Sequence, residues 1–342
     1  MTTNLTLSPI AEAIVRHLDP AHCWPQESEN IISLSGGKDS TALLLLAVAM
    51  EVPNLQAVFA DTGHESPITY EYVAYLEAWM AERGIPLRRV RADFTDKMAG
   101  KRKFIAEKWP GMGVPPERVA RALQLLHPTG NPFLDLCLWK GRFPSTKGRF
   151  CTDELKVYPM TEQVIMPAMD RSPLVFSWQG VRADESENRR WLPECSAMGG
   201  GLFHYRPILR WTVADVFEAH RFMGVKHNPL YTQGMGRVGC MPCIMVRKDE
   251  LREIALRFPE EIERVHEMEL LAQQTSKSGK ATFFEADTVP GNSRELADIN
   301  QDTHGIWAVV EWTKTSRGGK QYDLLDSLRD ASGCSSIHGL CE

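Results

Sequence analysis

Short apolar runs and longer amphipathic segments alternate through roughly the first ninety residues. Residues 30–34 and 55–60 are compact apolar runs of strand length, and 86–90 repeats the pattern more weakly. Between them, residues 39–50 and the stretch from Pro67 to Met80 carry apolar positions suited to buried helices. The second is opened by Ser66-Pro67 and closed by Gly84. Strand, helix, strand, helix, strand at this spacing predicts an α/β fold with a parallel, doubly wound sheet. Ligands of such sheets bind beyond the carboxyl ends of the strands. A later strand is expected at 174–179, and a helix capped by Thr212 should run to Met223 and close on Gly224.

The rest of the pattern sets the expected boundaries. Residues 8–18 form a candidate first helix, with Ser8 as cap and Pro9 in its first position, so 1–29 reads as an N-terminal helix and loop. Residues 30–245 read as the α/β domain, interrupted by an insertion at 93–150. There regular periodicity is lost, Pro and Gly recur, and 117–126 is the best local helix. Residues 246–342 read as a helical C-terminal region with a cysteine-containing tail, the segment 248–273 being strongly helical and acidic.

Composition narrows the class. The 342 residues are 43% apolar and 24% charged, as in soluble globular proteins. No apolar run approaches the ~20 residues needed to span a bilayer. The N-terminus lacks a basic region followed by an apolar core, so no membrane association and a cytoplasmic location are expected. A net charge of −5 gives no overall attraction to nucleic acid, but the charge is uneven. Residues 93–150 hold eleven Lys and Arg against five Asp and Glu. This basic segment is a candidate track for a nucleic-acid acceptor and reads equally as a solvated surface insertion.

The candidate chemistry begins where the first strand ends. Ser35-Gly36-Gly37-Lys38-Asp39-Ser40-Thr41 links an apolar strand directly to a helix. Glycines let the backbone turn its N–H groups onto a ligand, and the helix N-terminus adds partial positive charge. A Walker A loop fails here, because Ile32 stands where its first glycine belongs and Asp39 follows Lys38. Asp61-Thr62-Gly63-His64-Glu65, at the end of the second strand, opens onto the same crevice. Arg182, Arg189 and Arg190 follow a later strand, where guanidinium forks suit phosphate or sulfate. Structural ion pairs with Asp184 or Glu185 are the alternative.

Eight cysteines in a chain of this size do not suggest a disulfide framework. Cys240-Met241-Pro242-Cys243 presents two thiols from a tight loop and suits zinc, an iron–sulfur cluster or a redox dithiol. Cys151 and Cys195 lie far from it in sequence, Cys23 and Cys137 look isolated, and Cys334 and Cys341 fall in the last nine residues.

Three further stretches extend the motif set: Phe150-Cys151-Thr152-Asp153-Glu154-Leu155-Lys156-Val157-Tyr158-Pro159, then Gly180-Val181-Arg182, then Glu185-Ser186 with Arg189. With the Ser-Gly-Gly-Lys-Asp-Ser loop and Asp61-Thr62-Gly63, they resemble in order the PAPS reductase family of the PP-loop ATP pyrophosphatase superfamily. That family includes adenylylsulfate reductases and the DNA-phosphorothioation ATP pyrophosphatase. The resemblance runs from about residue 30 to 270.

The resemblance implies ATP with Mg2+ at Ser35 to Thr41, with Asp61, Lys156, Arg182 and Arg189 around it. Lys38, Asp39 and Arg182 would serve catalysis by cleavage between the α- and β-phosphates. It further implies a [4Fe–4S] cluster. Cys151, Cys240 and Cys243 match three of the family's four ligands, and Cys195 is the nearest candidate for the fourth. An open iron with three protein ligands, or zinc, remains an alternative.

Three functions follow from the resemblance. The first is adenylylation of an acceptor for sulfur transfer, nucleic acid or small molecule, fed by a sulfur-donor protein such as a cysteine desulfurase. The second is a sulfonucleotide reductase that releases sulfite through attack by Cys334. The tail departs from that pattern: Cys334 lacks the expected flanking Glu and Gly, and His338 lies four residues on. The third is a non-catalytic nucleotide- and cluster-binding subunit of a modification or defence complex.

Overall fold

The computed structural model describes residues 25–317. The N-terminal helix expected at 8–18 and Cys23, Cys334 and Cys341 lie outside the described residues.

The first elements in order are β1 (Glu29–Ser33), α1 (Lys38–Ala49), β2 (Leu55–Ala60), α2 (Pro67–Ala81) and β3 (Leu87–Val90). β4 (Val175–Trp178), β5 (Cys195–Gly199) and β6 (Leu202–Tyr205) complete a six-stranded sheet in the order β3-β2-β1-β4-β6-β5. β1 lies parallel to β2 on one side and to β4 on the other, so the sheet winds both ways from it. β5 alone is antiparallel, on the edge beyond β6. The fold is a doubly wound α/β sheet, and its switch point, between β1 and β4, is where such sheets bind ligands.

Alternate residues of β1 face opposite layers, as strand geometry requires. Ile32 and Leu34 pack toward α1 and α2, while Ile31, with Val58, Val90 and Val175, packs on the other face. α1 is apolar nearly all round, with Leu43, Leu44, Leu45 and Leu46 all buried. The reason is that it lies between the sheet and the helix α6 (Val213–Phe222), whose Val216 and Ala219 join the same core.

The opposite face is covered by a helical run over residues 150–169 that contains two π-helical stretches, Asp153–Val157 and Thr161–Ile165. Each ends two residues before a proline, Pro159 or Pro167. A helical proline lacks an N–H and presses on the carbonyl four residues back, here Leu155 and Gln163, and the wider turn relieves that contact.

Between β3 and this run stand three helices, α3 (Thr95–Lys108), α4 (Pro116–Leu125) and α5 (Pro132–Lys140). The expectation of lost periodicity with one local helix is therefore corrected. Pro116 and Pro132 open helices rather than break them, because the first helical position needs no N–H. Asn131 caps α5 by accepting from Leu134 N at 3.0 Å. α3 hides from sequence pattern because only Met98 and Ile105 of its fourteen residues are buried.

The segment 248–273 is helical as expected, in two helices, α7 (Lys248–Arg257) and α8 (Pro259–Thr275), that part at the non-helical Phe258. With α9 (Ile306–Thr313), these helices share one apolar core with the insertion, including Ile105, Leu136, Leu251, Val265 and Ile306. The insertion is anchored at the carboxyl end of β2. Phe133 N donates to Thr62 O at 2.9 Å and Asn131 Nδ2 to Gly63 O at 2.8 Å. The helical part of the molecule therefore meets the sheet where its strands end.

Candidate functional site

The loop after β1 is shaped by steric demands at two glycines. Gly36 has φ +80°, and a Cβ there would stand 3.0 Å from Val73 Cγ2 and 3.1 Å from Thr69 Cγ2. Gly37, by contrast, has φ −85° and ψ 168°, which any residue adopts, so only one glycine of the pair is needed for its torsion. At the end of β4, Gly180 comes so close that a Cβ would meet Ser40 N at 3.0 Å. β4 thus packs directly onto the N-terminus of α1. Ser35 Oγ and Ser40 Oγ lie 2.9 Å apart and tie the loop together, and Thr41 Oγ1 donates to Gly37 O at 2.8 Å.

Behind the loop runs a line of buried charge. Lys38 Nζ meets Asp39 Oδ2 at 2.6 Å, and Arg182 Nε donates to Asp39 Oδ1 at 2.6 Å. Arg182 Nη1 also holds Asp184, and Arg189 pairs with Glu185. Burial alone would lower the pKa of Arg182; the carboxylates of Asp39, Glu185 and Asp184 more than offset it, and the net shift is upward. The three arginines grouped by sequence are therefore divided. Arg182 and Arg189 are buried in ion pairs, while Arg190 is exposed beside Glu187. Asp61 shapes its own turn, accepting from Gly63 N at 2.9 Å and from Tyr70 at 2.7 Å, with Arg91 at 3.3 Å.

Two adjoining cavities open here. One lies at the ends of β1 and β2; the other, of about 70 Å³, is lined by Cys151, Cys240 and Cys243. Ser35, Lys156 and Gly239 line both. Lys156 rides on the 150–169 run five residues beyond Cys151, and its charge acts on Cys240. Burial pushes the Cys240 thiol well up, and Lys156 opposes that shift. The tertiary structure thus brings together the phosphate-type loop, a lysine and three thiols from three separate stretches.

The paired-cysteine loop is pinned by residues to which the sequence assigned no role. Glu65 and Cys240 form an isolated antiparallel bridge, and Met241 N donates to His64 O at 2.9 Å. The His64 ring stacks on Phe133 at 4.1 Å, and its Nε2 lies 3.0 Å from Pro242 O. Burial, together with the Arg264 charge, lowers the His64 pKa to about 3, so the imidazole is neutral. A carbonyl only accepts, so Nε2 carries the proton and Nδ1 turns its lone pair to Arg264 Nη2 at 3.4 Å. The same guanidinium nitrogen donates to Met241 O at 3.0 Å. His64 and Arg264 are 200 residues apart, and no local pattern links them.

Cys195 does not join the other three cysteines. It is exposed at the start of β5, the outer edge strand, beside Glu194 and Arg206, and the cavity of the thiols is not lined by it. The expectation of Cys195 as fourth ligand gains no support from this position, because the β5–β6 hairpin carries it to the sheet edge. Cys137 is buried and feels the charge of Cys151. Among the described residues, no group of three or more His, Cys, Asp and Glu side chains stands ready to hold a metal ion. The donors nonetheless match soft-metal chemistry in kind, three sulfurs on one cavity, with Met245 N directed at Cys243 Sγ at 3.4 Å. No helix among the described residues is long and apolar enough to cross a membrane.

An uncharacterized 37.8 kDa protein of Escherichia phage 186 is 49% identical over 94% of this chain and 99% of its own. The adenosine 5'-phosphosulfate reductase of Mesorhizobium japonicum is 23% identical over 68% of this chain and 75% of its own. Among solved structures, the phosphoadenylyl-sulfate reductase of Candida auris in its phosphate complex aligns with a TM-score of 0.40 at 17% identity. That alignment covers 70% of this chain and 92% of that one. The family model of the phosphoadenosine phosphosulfate reductase domain matches residues 29–126 and 132–246, which contain the loop after β1, Lys156 and all three thiols of the cavity, and the chain belongs to that family.

Proposed function

We propose that this protein binds ATP at the loop from Ser35 to Thr41 and uses it to adenylylate an acceptor for sulfur transfer. The observation that carries the reading is the sharing of Ser35, Lys156 and Gly239 between the cavity at the loop and the cavity of the thiols. A nucleotide phosphate and a sulfur-bearing group would then meet across one lysine. Family membership supports nucleotide-linked sulfur chemistry in general.

In this reading the turn at Gly36 and the start of α1 offer backbone N–H groups and the helix dipole to the phosphates. Asp39, held by Arg182, keeps the Lys38 ammonium in place beside them. Lys156 offsets charge that develops on the leaving pyrophosphate. An acceptor oxygen attacks the α-phosphorus as the bond to pyrophosphate breaks, and a hydrosulfide-level sulfur nucleophile then displaces AMP. ATP would enter as its Mg2+ complex, the metal held mainly by the phosphates. A [4Fe–4S] cluster, when bound, would be held by Cys151, Cys240 and Cys243 and would supply an iron that can take a sulfur ligand.

A second reading is favoured by the named activity of the Mesorhizobium relative: reduction of an adenylylated sulfate, with sulfite released after thiol attack. One experiment separates the two. Anaerobically prepared protein is given ATP with candidate acceptors, or adenylyl sulfate with a thiol. Pyrophosphate release that requires an acceptor and falls at least tenfold in Lys156→Ala supports the first. Sulfite release without ATP turnover replaces it with the second.

A further inference from the structure

Away from the nucleotide loop, the insertion and the C-terminal helices enclose a groove with a cavity of about 600 Å³. It lies between α3, the end of α5 and residues 275–278. Lys101, Lys140 and Lys277 line it together with Phe104, Met112 and Leu296, and no carboxylate does so among the described residues. These three apolar side chains are exposed, Phe104 by 42%. Lys101 is half-buried, with its ammonium 5.6 Å from the Phe104 ring centroid. Burial first, and then the neighbouring Lys140, lowers its pKa. Lys140 shares Glu154 with Lys97, so around that carboxylate the positive charges are in excess.

Cations that outnumber the one carboxylate beside them, set next to exposed apolar side chains, have a definite complement. Phosphates satisfy the lysines, and an unstacked base covers the aromatic ring. A duplex would offer phosphates alone, since its bases face each other. The groove is also linked through one ion pair to the site already described. Glu154, which holds Lys140 at the rim, stands one helical turn beyond Cys151 and two residues before Lys156. One ion pair therefore ties a lysine of the groove to the run that lines the thiol cavity.

We propose that this groove docks a single-stranded stretch of nucleic acid, with phosphates against Lys101, Lys140 and Lys277 and a base on Phe104. This deepens the sulfur-transfer reading, on which it rests, by naming the acceptor class. The docked strand would sit against Lys140, whose carboxylate partner Glu154 belongs to the helical run that carries Cys151 and Lys156.

The test is fluorescence anisotropy of the full chain with labelled single-stranded RNA and DNA of about 12 nucleotides, a length within the range of single-strand sites. Binding should weaken with salt. The double variant Lys101→Glu, Lys277→Glu should weaken it at least tenfold and flatten the log–log salt slope by about 1.4, two phosphates' worth. Phe104→Ala should weaken it about tenfold and leave the slope unchanged. ATP affinity should be unaltered in every variant, which certifies the fold and keeps this test apart from that of the nucleotide loop. Wild-type affinity in both variants, equal competition by a duplex of the same length, or no binding at low salt would each overturn the proposal. Binding that follows the variants, in a protein that releases no pyrophosphate from ATP, would uphold the groove and sink the adenylylation reading alone.

Discussion

The backbone N–H of Lys38, the first residue of α1, donates to the phenolic oxygen of Tyr231 at 2.9 Å. The N–H groups at a helix N-terminus are the ones a phosphate oxygen takes. Tyr231 therefore occupies one acceptor position of the proposed nucleotide site, and its ring also lies 5.5 Å from Lys38 Nζ. Tyr231→Phe should raise ATP affinity about fivefold, because no hydroxyl then competes for that N–H. It should also lower the stability of the nucleotide-free protein by about 1 kcal/mol. Calorimetric titration and denaturant unfolding measure the two effects, and an unchanged affinity would mean that the phosphate does not use this N–H.

The two loop glycines should respond differently. Gly36→Ala places a side chain at φ +80° and against Val73 and Thr69, and should cost about 1–2 kcal/mol or more. Gly37→Ala meets no torsional penalty at φ −85° and should cost clearly less. Equal losses in denaturant unfolding would show that the αL torsion is not the constraint.

Arg182 is 3% exposed and holds the fully buried Asp39. Arg182→Ala would leave that carboxylate with Lys38 alone, and should destabilise the protein by about 3–5 kcal/mol. Arg182→Lys should fall between, since a point charge cannot reach Asp39 and Asp184 as a fork does. If Arg182→Ala unfolds at the wild-type denaturant midpoint, the buried pair is not what holds the loop.

Glu269 on α8 accepts from Phe283 N at 2.7 Å and Ile306 N at 3.0 Å, joining two distant segments of the C-terminal part. Burial raises its pKa to about 7, although these hydrogen bonds oppose the shift. The folded protein therefore holds a proton that the unfolded chain releases near pH 4.5. Stability from this group is full below pH 4.5 and is lost as pH rises to about 7. The loss should reach roughly 3 kcal/mol, and Glu269→Gln should flatten that part of the stability–pH curve. An identical slope in both proteins would assign the pH dependence elsewhere.

Iron and acid-labile sulfide counts on anaerobically prepared protein test the thiol cavity. Ser in place of Cys151, Cys240 or Cys243 should remove at least most of the bound iron, whereas Cys195→Ser should keep it. Iron loss in Cys195→Ser would mean that the edge strand moves to reach the cavity. Zinc without sulfide in iron-replete protein would make this a structural metal site.

Much of the central sheet and its loop was legible in the chain itself, because the interactions that define them are local. Buried parallel strands declare themselves as apolar runs such as 30–34 and 55–60. The turn onto α1 needs a glycine at Gly36, and the Cys-x-x-Cys spacing is set by consecutive bonds. Elements with little buried surface escaped that reading: α3 buries two side chains, and four of the five residues of β5 are exposed. The composition of the site was decided only by tertiary packing. Tyr231 reaches Lys38 across 193 positions, and His64 stands near Arg264 across 200. Cys195, six residues from Arg189 in the chain, is carried to the sheet edge instead. Sequence spacing governs which residues share a turn, a helix face or a strand. Which of those faces meet is settled by the burial of their apolar sides, a property of the whole chain that no short segment contains.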